Sequence, residues 1–217
     1  MHIHNFENKN SILNQFVAEL RNVSVQKDRM RFRNNVERIG EVLGYELSKT
    51  LSYATQTITT PLGTKDMALP SDKLVICSIL RAGLAFHHGF LNYFDAAENG
   101  FISAYRRHEN DADEFEVLVN YFAAPNLEGK ILILADPMLA TGRTLENVLK
   151  GLQKHGKPKQ IHIVAVIGSE EGIAHTATIF PENTHLWIAA VDSSLNAKGY
   201  IVPGLGDAGD LSYGEKL

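Results

Sequence analysis

The stretch richest in chemistry reads Ile133-Leu134-Ala135-Asp136-Pro137-Met138-Leu139-Ala140-Thr141-Gly142-Arg143-Thr144. An apolar run ends in a carboxylate, a short loop supplies a hydroxyl, a glycine and a second hydroxyl, and a helical pattern then begins at Thr144 or Leu145. Ligands of parallel sheets bind beyond the carboxyl ends of the strands. The amides of a helix's first turn lack intrahelical acceptors and carry the positive end of its dipole, so they suit an anion. With Thr141 and Thr144 flanking that start, the ligand this loop fits is a phosphate monoester. Asp136 precedes it and is placed to accept hydrogen bonds from sugar hydroxyls, so the pair of groups suits a ribose 5-phosphate. Taken alone, Asp136 is better explained as the cap of a turn.

Two other phosphate motifs fail on context. Gly204-Leu205-Gly206-Asp207-Ala208-Gly209 fits the dinucleotide pattern of three glycines, but too little chain follows it to build the strand and acidic residue the pattern needs. Gly151 to Lys157 comes within one residue of a Walker loop, with Pro158 where a hydroxyl belongs, and it ends a helix instead of following a strand. Asn22-Val23-Ser24 matches a glycosylation site in a chain without an export pattern.

Alternating elements must carry the loop. Ile12, Leu13, Phe16, Val17 and Leu20 form one helical stripe, and Val36, Ile39, Leu43 and Leu47 a second, which places N-terminal helices within residues 10–50. Lys27, Arg29, Arg31 and Arg33 give the second helix a basic start, expected to be a solvated or subunit-facing surface because no aromatic platform accompanies it. Residues 53–69 alternate around Pro61-Leu62-Gly63 and predict a hairpin. Residues 74–80 are uninterruptedly apolar, as befits a strand buried on both faces, and Cys77 inside them is expected to be a structural thiol. Residues 101–105, 131–135, 161–167 and 185–191 predict further strands, and Ser169 predicts a helix cap. Residues 109–116 hold five acids; with the alternating Phe115, Val117, Val119 and Tyr121 they predict a protruding β-arm with a solvated tip. Strands interleaved with helices imply an α/β fold with a mostly parallel sheet.

The totals exclude several classes. With 217 residues, 44% apolar and 21% charged, the chain is ordinary for one globular domain spanning residues 1–217. Its 21 basic and 25 acidic residues give a net charge of −4, which speaks against bulk nucleic-acid binding. One cysteine excludes a disulfide framework and a cysteine-rich zinc site. No apolar run approaches the roughly 18 residues of a membrane span, and the first residues lack the charge and apolar core of a secretory signal. The expectation is a soluble cytoplasmic protein.

The loop resembles the phosphoribosyl pyrophosphate (PRPP) motif of type I phosphoribosyltransferases, in the form Asp136-Pro137-Met138-Leu139-Ala140-Thr141-Gly142 seen in the uracil-specific branch. Ile79-Leu80-Arg81-Ala82-Gly83-Leu84 resembles that family's pyrophosphate loop, and residues 200–210, Tyr200 to Asp210, resemble its uracil-binding segment. The region of Arg33 is similar to its N-terminal helix. The resemblance implies the type I phosphoribosyltransferase fold and the reaction uracil plus PRPP to UMP plus pyrophosphate, a step of pyrimidine salvage. It implies catalytic roles for Arg81, Arg106 and Asp207. PRPP binding is implied for these three and for Asp136, Pro137, Met138, Leu139, Ala140, Thr141, Gly142, Arg143 and Thr144. Uracil contacts are implied for Ile201, Gly206, Asp207 and Ala208, mostly through main chain. Mg²⁺ is expected on the substrate's own oxygens with no direct protein ligand, and a homodimer or higher homo-oligomer is implied.

The departures are Arg143 where the family usually has a second Gly, Arg107-His108 in the second loop, Ala85-Phe86-His87-His88 after Leu84, and Ala135 in place of a second acid. Arg143 is expected to add a cation beside the 5-phosphate, and His87 and His88 to pack in a core or interface because adjacent helical residues do not face one ligand. Three rival readings stay open: an RNA-binding pyrimidine regulator on the same fold, a sister enzyme using another base, and an inactive copy.

Overall fold

The structure is a computed structural model that describes residues 1–108 and 115–216, and of residues 104–108 and 115–120 the backbone only. In chain order the elements are β1 (His2–Asn5), α1 (Ile12–Arg21), α2 (Arg29–Ser48), β2 (Tyr53–Thr60), β3 (Gly63–Pro70), β4 (Leu74–Leu80), α3 (Gly83–Leu91), β5 (Glu98–His108), β6 (Phe115–Ala123), β7 (Ile131–Ala135), β8 (Met138–Leu139), α4 (Arg143–Leu152), β9 (Gln160–Ser169), α5 (Glu170–Ile179), β10 (His185–Asp192), β11 (Ser194–Leu195), β12 (Ile201–Val202) and α6 (Ala208–Tyr213).

The central sheet runs β1-β10-β9-β7-β4-β5-β6, with β8 paired to β9. Only β6 is antiparallel to its neighbour in that order. The sheet is buried on both sides, and the strand period of two sorts side chains between two cores. Ile76, Ile131, Ile133, Val164 and Trp187 face the core under α1, α2, α3 and α6. Val75, Cys77, Leu132, Leu134, Ile163 and Ile188 face the core under α4 and α5. This double burial is why the strands read as unbroken apolar runs.

Several features differ from the sequence expectation. The helix after the phosphate loop begins at Arg143, one residue earlier than the pattern suggested, because Gly142 (φ +76°) turns the chain directly into it. The N-terminal residues form an edge strand, β1, parallel to β10. It is polar and short, and it is held by the His4 ring stacked on Trp187 at 3.8 Å between centroids. The basic start of α2 is not simply a solvated face: Arg31 makes two hydrogen bonds to Glu19 of α1 at 2.7 and 2.9 Å, and Arg33 donates to the Ser212 carbonyl at 2.7 Å. The hairpin β2–β3 forms as expected and is exposed along nearly all its length. Of the expected β-arm, the paired strands β5 and β6 are described and residues 109–114 at its tip lie outside the described residues.

Candidate active site

Three segments leave the carboxyl edge of the sheet, because β4, β7, β9 and β10 are successive parallel neighbours. The segment after β4 carries Arg81, the one after β7 carries Asp136, and the chain beyond β10 returns with β12 and α6. Close packing joins the first two: a Cβ on Gly83 would sit 3.2 Å from the Ala135 carbonyl oxygen.

The phosphate loop is shaped by its own side chains and by α5. Asp136 Oδ1 accepts from the Met138 amide at 3.2 Å, so the acid does cap a turn. The Arg143 amide donates to Thr141 Oγ1 at 3.4 Å. Pro137, Leu139, Ala140 and Gly142 are buried, which leaves Asp136, Thr141, Arg143 and Thr144 as the side chains with exposed surface, together with the half-buried Met138. From behind, Ser169 donates to the Ala140 carbonyl at 2.6 Å while accepting from the Gly172 amide at 2.9 Å as the cap of α5. Gly142 needs its glycine twice over: its φ is left-handed, and a Cβ would press to 2.9 Å from Thr176 Oγ1. Arg143 is an ordinary helical residue, so the missing second glycine brings no backbone strain. Sequence reasoning found the Ser169 cap but not its bond to the loop, since a hydroxyl 29 residues from its acceptor leaves no local signal.

The C-terminal segment is clamped by the N-terminal helices. Arg21 Nη1 donates to Asp192 Oδ2 at 2.8 Å and to the Gly204 carbonyl at 3.0 Å, and the Gly204 amide donates to that same Oδ2 at 3.2 Å. Gln26 Nε2 donates to the Leu205 carbonyl at 3.1 Å. Gly204 (φ +60°) makes the turn, where a Cβ would overlap the Ile201 carbonyl oxygen. Ile201 and Ala208 are buried in the core, so any contact they make with a flat base is through main chain, as expected. Gly206 is exposed and Asp207 half-buried. Asp207 also caps α6, its Oδ1 accepting from the Asp210 amide at 3.0 Å. Arg21, Gln26 and Asp192 are residues that sequence reasoning missed.

Arg81 turns toward this C-terminal segment. Its Nη2 donates to Asp210 Oδ1 at 2.8 Å and to the Gly214 carbonyl at 3.0 Å. Beneath it, Ser78 and His87 Nδ1 lie 2.7 Å apart, and His87 Nε2 is 2.8 Å from Asn99 Oδ1. Burial keeps the His87 imidazole below its usual pKa, with the Asn99 bond opposing, and the ring is a packed core group as expected. His88 is exposed. Cys77 is fully buried and its thiol is pushed up to about 12, which makes it structural. Arg106 is on β5, three residues past Ser103, the partner of Leu80; its side chain lies outside the described residues.

A cleft of about 740 Å³ opens between Thr141 and Arg143 of the loop, His175 and Thr178 of α5, and the turn from Leu195 to Gly199. It reaches the phosphate end of the site; Arg81, Asp136 and Asp207 do not line it. Among the described residues no group of three or more His, Cys, Asp or Glu side chains could hold a metal ion.

The family model described as Uracil phosphoribosyltransferase matches residues 8–214. The chain belongs to the uracil phosphoribosyltransferase family. It is 52% identical over 209 residues to the uracil phosphoribosyltransferase of Porphyromonas gingivalis, covering 96% of each chain. It is 39% identical over 216 residues to that of Methanococcus vannielii, covering 98% of this chain and 90% of the other. A solved structure of an Aquifex aeolicus protein superposes with a TM-score of 0.86 at 33% identity, covering 97% and 98% of the two chains. A hypoxanthine phosphoribosyltransferase from Staphylococcus aureus, at 17% identity and a TM-score of 0.50, shares the type I fold alone.

Proposed function

We propose that this chain joins uracil to the phosphoribosyl group of PRPP, forming UMP and releasing pyrophosphate, and that residues 1–217 work as one unit in doing so. The observation that carries the reading is the meeting, at one sheet edge, of a phosphate loop on a helix start with a glycine-rich main-chain turn. Family membership supports it independently.

In this reaction the bond from the anomeric carbon to pyrophosphate oxygen breaks while uracil N1 attacks the same carbon and gives up its proton, which leaves with the pyrophosphate. Charge builds on the leaving group and, with opposite sign, on the ribose ring. Arg81 and Arg106 bind and stabilise the pyrophosphate, because guanidinium groups pair with phosphate oxygens through two parallel bonds. The first-turn amides of α4, with Thr141, Thr144 and Arg143, hold the 5-phosphate. Asp136 accepts from the ribose hydroxyls. Asp207 stabilises the positive charge of the ring. Main-chain groups of Ile201, Gly206 and Ala208 read the edge of uracil, and a carbonyl opposite N3–H leaves cytosine unpaired.

Asp136 and Asp207 are half-buried hard oxygen donors and would hold the water shell of a Mg²⁺ carried by PRPP, which would supply charge neutralisation for the pyrophosphate. Uracil and PRPP are the partners of this reading, with assembly as a homodimer or larger homo-oligomer and a cytoplasmic setting; no described helix is long and apolar enough to cross a membrane. The test is incubation with PRPP, Mg²⁺ and each nucleobase in turn. UMP from uracil alone is the expected result. No UMP overturns the reading, and a shift of pyrimidine-leader RNA in a gel at physiological salt favours the regulator.

A further inference from the structure

The reaction as derived uses Arg81 and Asp207 and leaves one neighbouring charge unexplained. Asp210 stands in the first turn of α6, directly after the base-reading turn, and its Oδ1 accepts a hydrogen bond from Arg81 Nη2 at 2.8 Å. Its own amide is fixed by Asp207 Oδ1 at 3.0 Å, so the acid is rigidly mounted. The helix carrying it is fastened at two more points. The Gly214 carbonyl accepts from the same Arg81 nitrogen, and Arg33 holds the Ser212 carbonyl. A Cβ at Gly209 would press to 3.1 Å from Asp207 Oδ1, the atom that fixes the Asp210 amide.

Arg81 is held but not hidden. Its side chain keeps 38% of its surface exposed, so the guanidinium remains open to a ligand. Its Nε is buried with no hydrogen-bond partner among the described residues, so the side chain is pinned through one end nitrogen. A long arginine otherwise loses about 2 kcal/mol of rotamer freedom when a phosphate immobilises it. Fixing it in advance removes part of that cost from substrate binding.

We propose that Asp210 is a positioning residue: from the base-reading segment it holds Arg81 in the orientation that binds pyrophosphate. The proposal rests on Arg81 having the role assigned above. On this account the base side of the site organises the PRPP side through one ion pair.

The test is a double-mutant cycle on the full chain, with initial rates at varied PRPP and varied uracil and a melting curve for each variant. Asp210→Ala raises the KM for PRPP about tenfold, the loss expected for a charge-assisted hydrogen bond. It leaves the uracil KM within about twofold, and in an Arg81→Ala background it adds less than about twofold more, because its partner is gone. Asp210→Asn, which keeps the shape and an acceptor oxygen, lies between parent and Asp210→Ala. An equal effect of Asp210→Ala in both backgrounds, or equal rises in both KM values with a lowered melting temperature, assigns a merely structural role and overturns the proposal. If Arg81→Ala itself leaves the PRPP KM unchanged, the assignment of Arg81 fails, and the Asp210 proposal falls with it by a distinct result.

Discussion

Replacing Ser169 with alanine tests how the phosphate loop is held. The hydroxyl is fully buried. It donates to Ala140 at 2.6 Å and accepts from Gly172 at 2.9 Å. Alanine removes both bonds where water cannot replace them. Loss of a helix N-cap costs about 1 kcal/mol, and a buried carbonyl left without a donor costs about 1–3 kcal/mol. The expected destabilisation is about 3 kcal/mol, which for a chain of this length lowers the melting temperature by about 6–12 °C. The freed carbonyl belongs to the loop proposed to bind the 5-phosphate, so the PRPP KM rises severalfold while the uracil KM stays put. Calorimetry and initial rates at saturating uracil measure the two effects. A melting temperature within about 2 °C of the parent refutes the weight placed on this hydroxyl. Equal rises in both KM values refute the claim that it serves the phosphate side.

Three further outcomes are expected. Arg143→Gly raises the PRPP KM by severalfold with little change in melting temperature, since Arg143 is exposed and unstrained at the start of α4; an unchanged KM shows that the side chain gives nothing to the phosphate. Gly204→Ala forces a Cβ onto the Ile201 carbonyl in a left-handed conformation, so uracil KM rises and the melting temperature falls, and a parent-like uracil KM contradicts the role of this turn. Stability falls with acid, because His162 is held down to about 3 by burial, and His4 and His185 are also lowered chiefly by burial. These imidazoles are neutral when folded and protonate first in the unfolded chain, so stability is full above their unfolded pKa and drains as pH drops from about 6.5 toward 3. By pH 5 the His162 contribution alone is about 2 kcal/mol; urea melts followed by Trp187 fluorescence at pH 7.5 and 5 detect it, and identical midpoints refute it.

The sheet and the phosphate loop were legible because their signals are local. Residues 74–80, apolar but for Ser78, and residues 131–135, apolar throughout, suit a doubly buried strand, and the acid, hydroxyls and glycine of residues 136–144 follow directly. Ser169 could be recognised as a cap for the same reason. What escaped depends on distant partners. Arg21 reads as a basic residue ending a helix, yet its use is set by Asp192 and Gly204, 171 and 183 residues on. Arg33 reads as one of a solvated cluster until Ser212 is placed beside it. β1 has no apolar alternation, and its stability comes from ring stacking on Trp187, which no strand propensity records. α6 is a single short helix in a glycine-rich stretch, too brief for a periodic signal. The candidate uracil residues were found by resemblance; that the side chains of Ile201 and Ala208 are buried needed the fold.

The central sheet divides labour as well as side chains. The phosphate loop leans on α5 through Ser169 and Gly172, whereas the base-reading turn and Arg81 are tied to α2, α3 and α6. The segments proposed to bind the two halves of the substrate thus rest chiefly on different helical layers. On that proposal, a ligand spanning both acts as a cross-brace over the sheet's edge, added to the close packing of Gly83 on the Ala135 carbonyl.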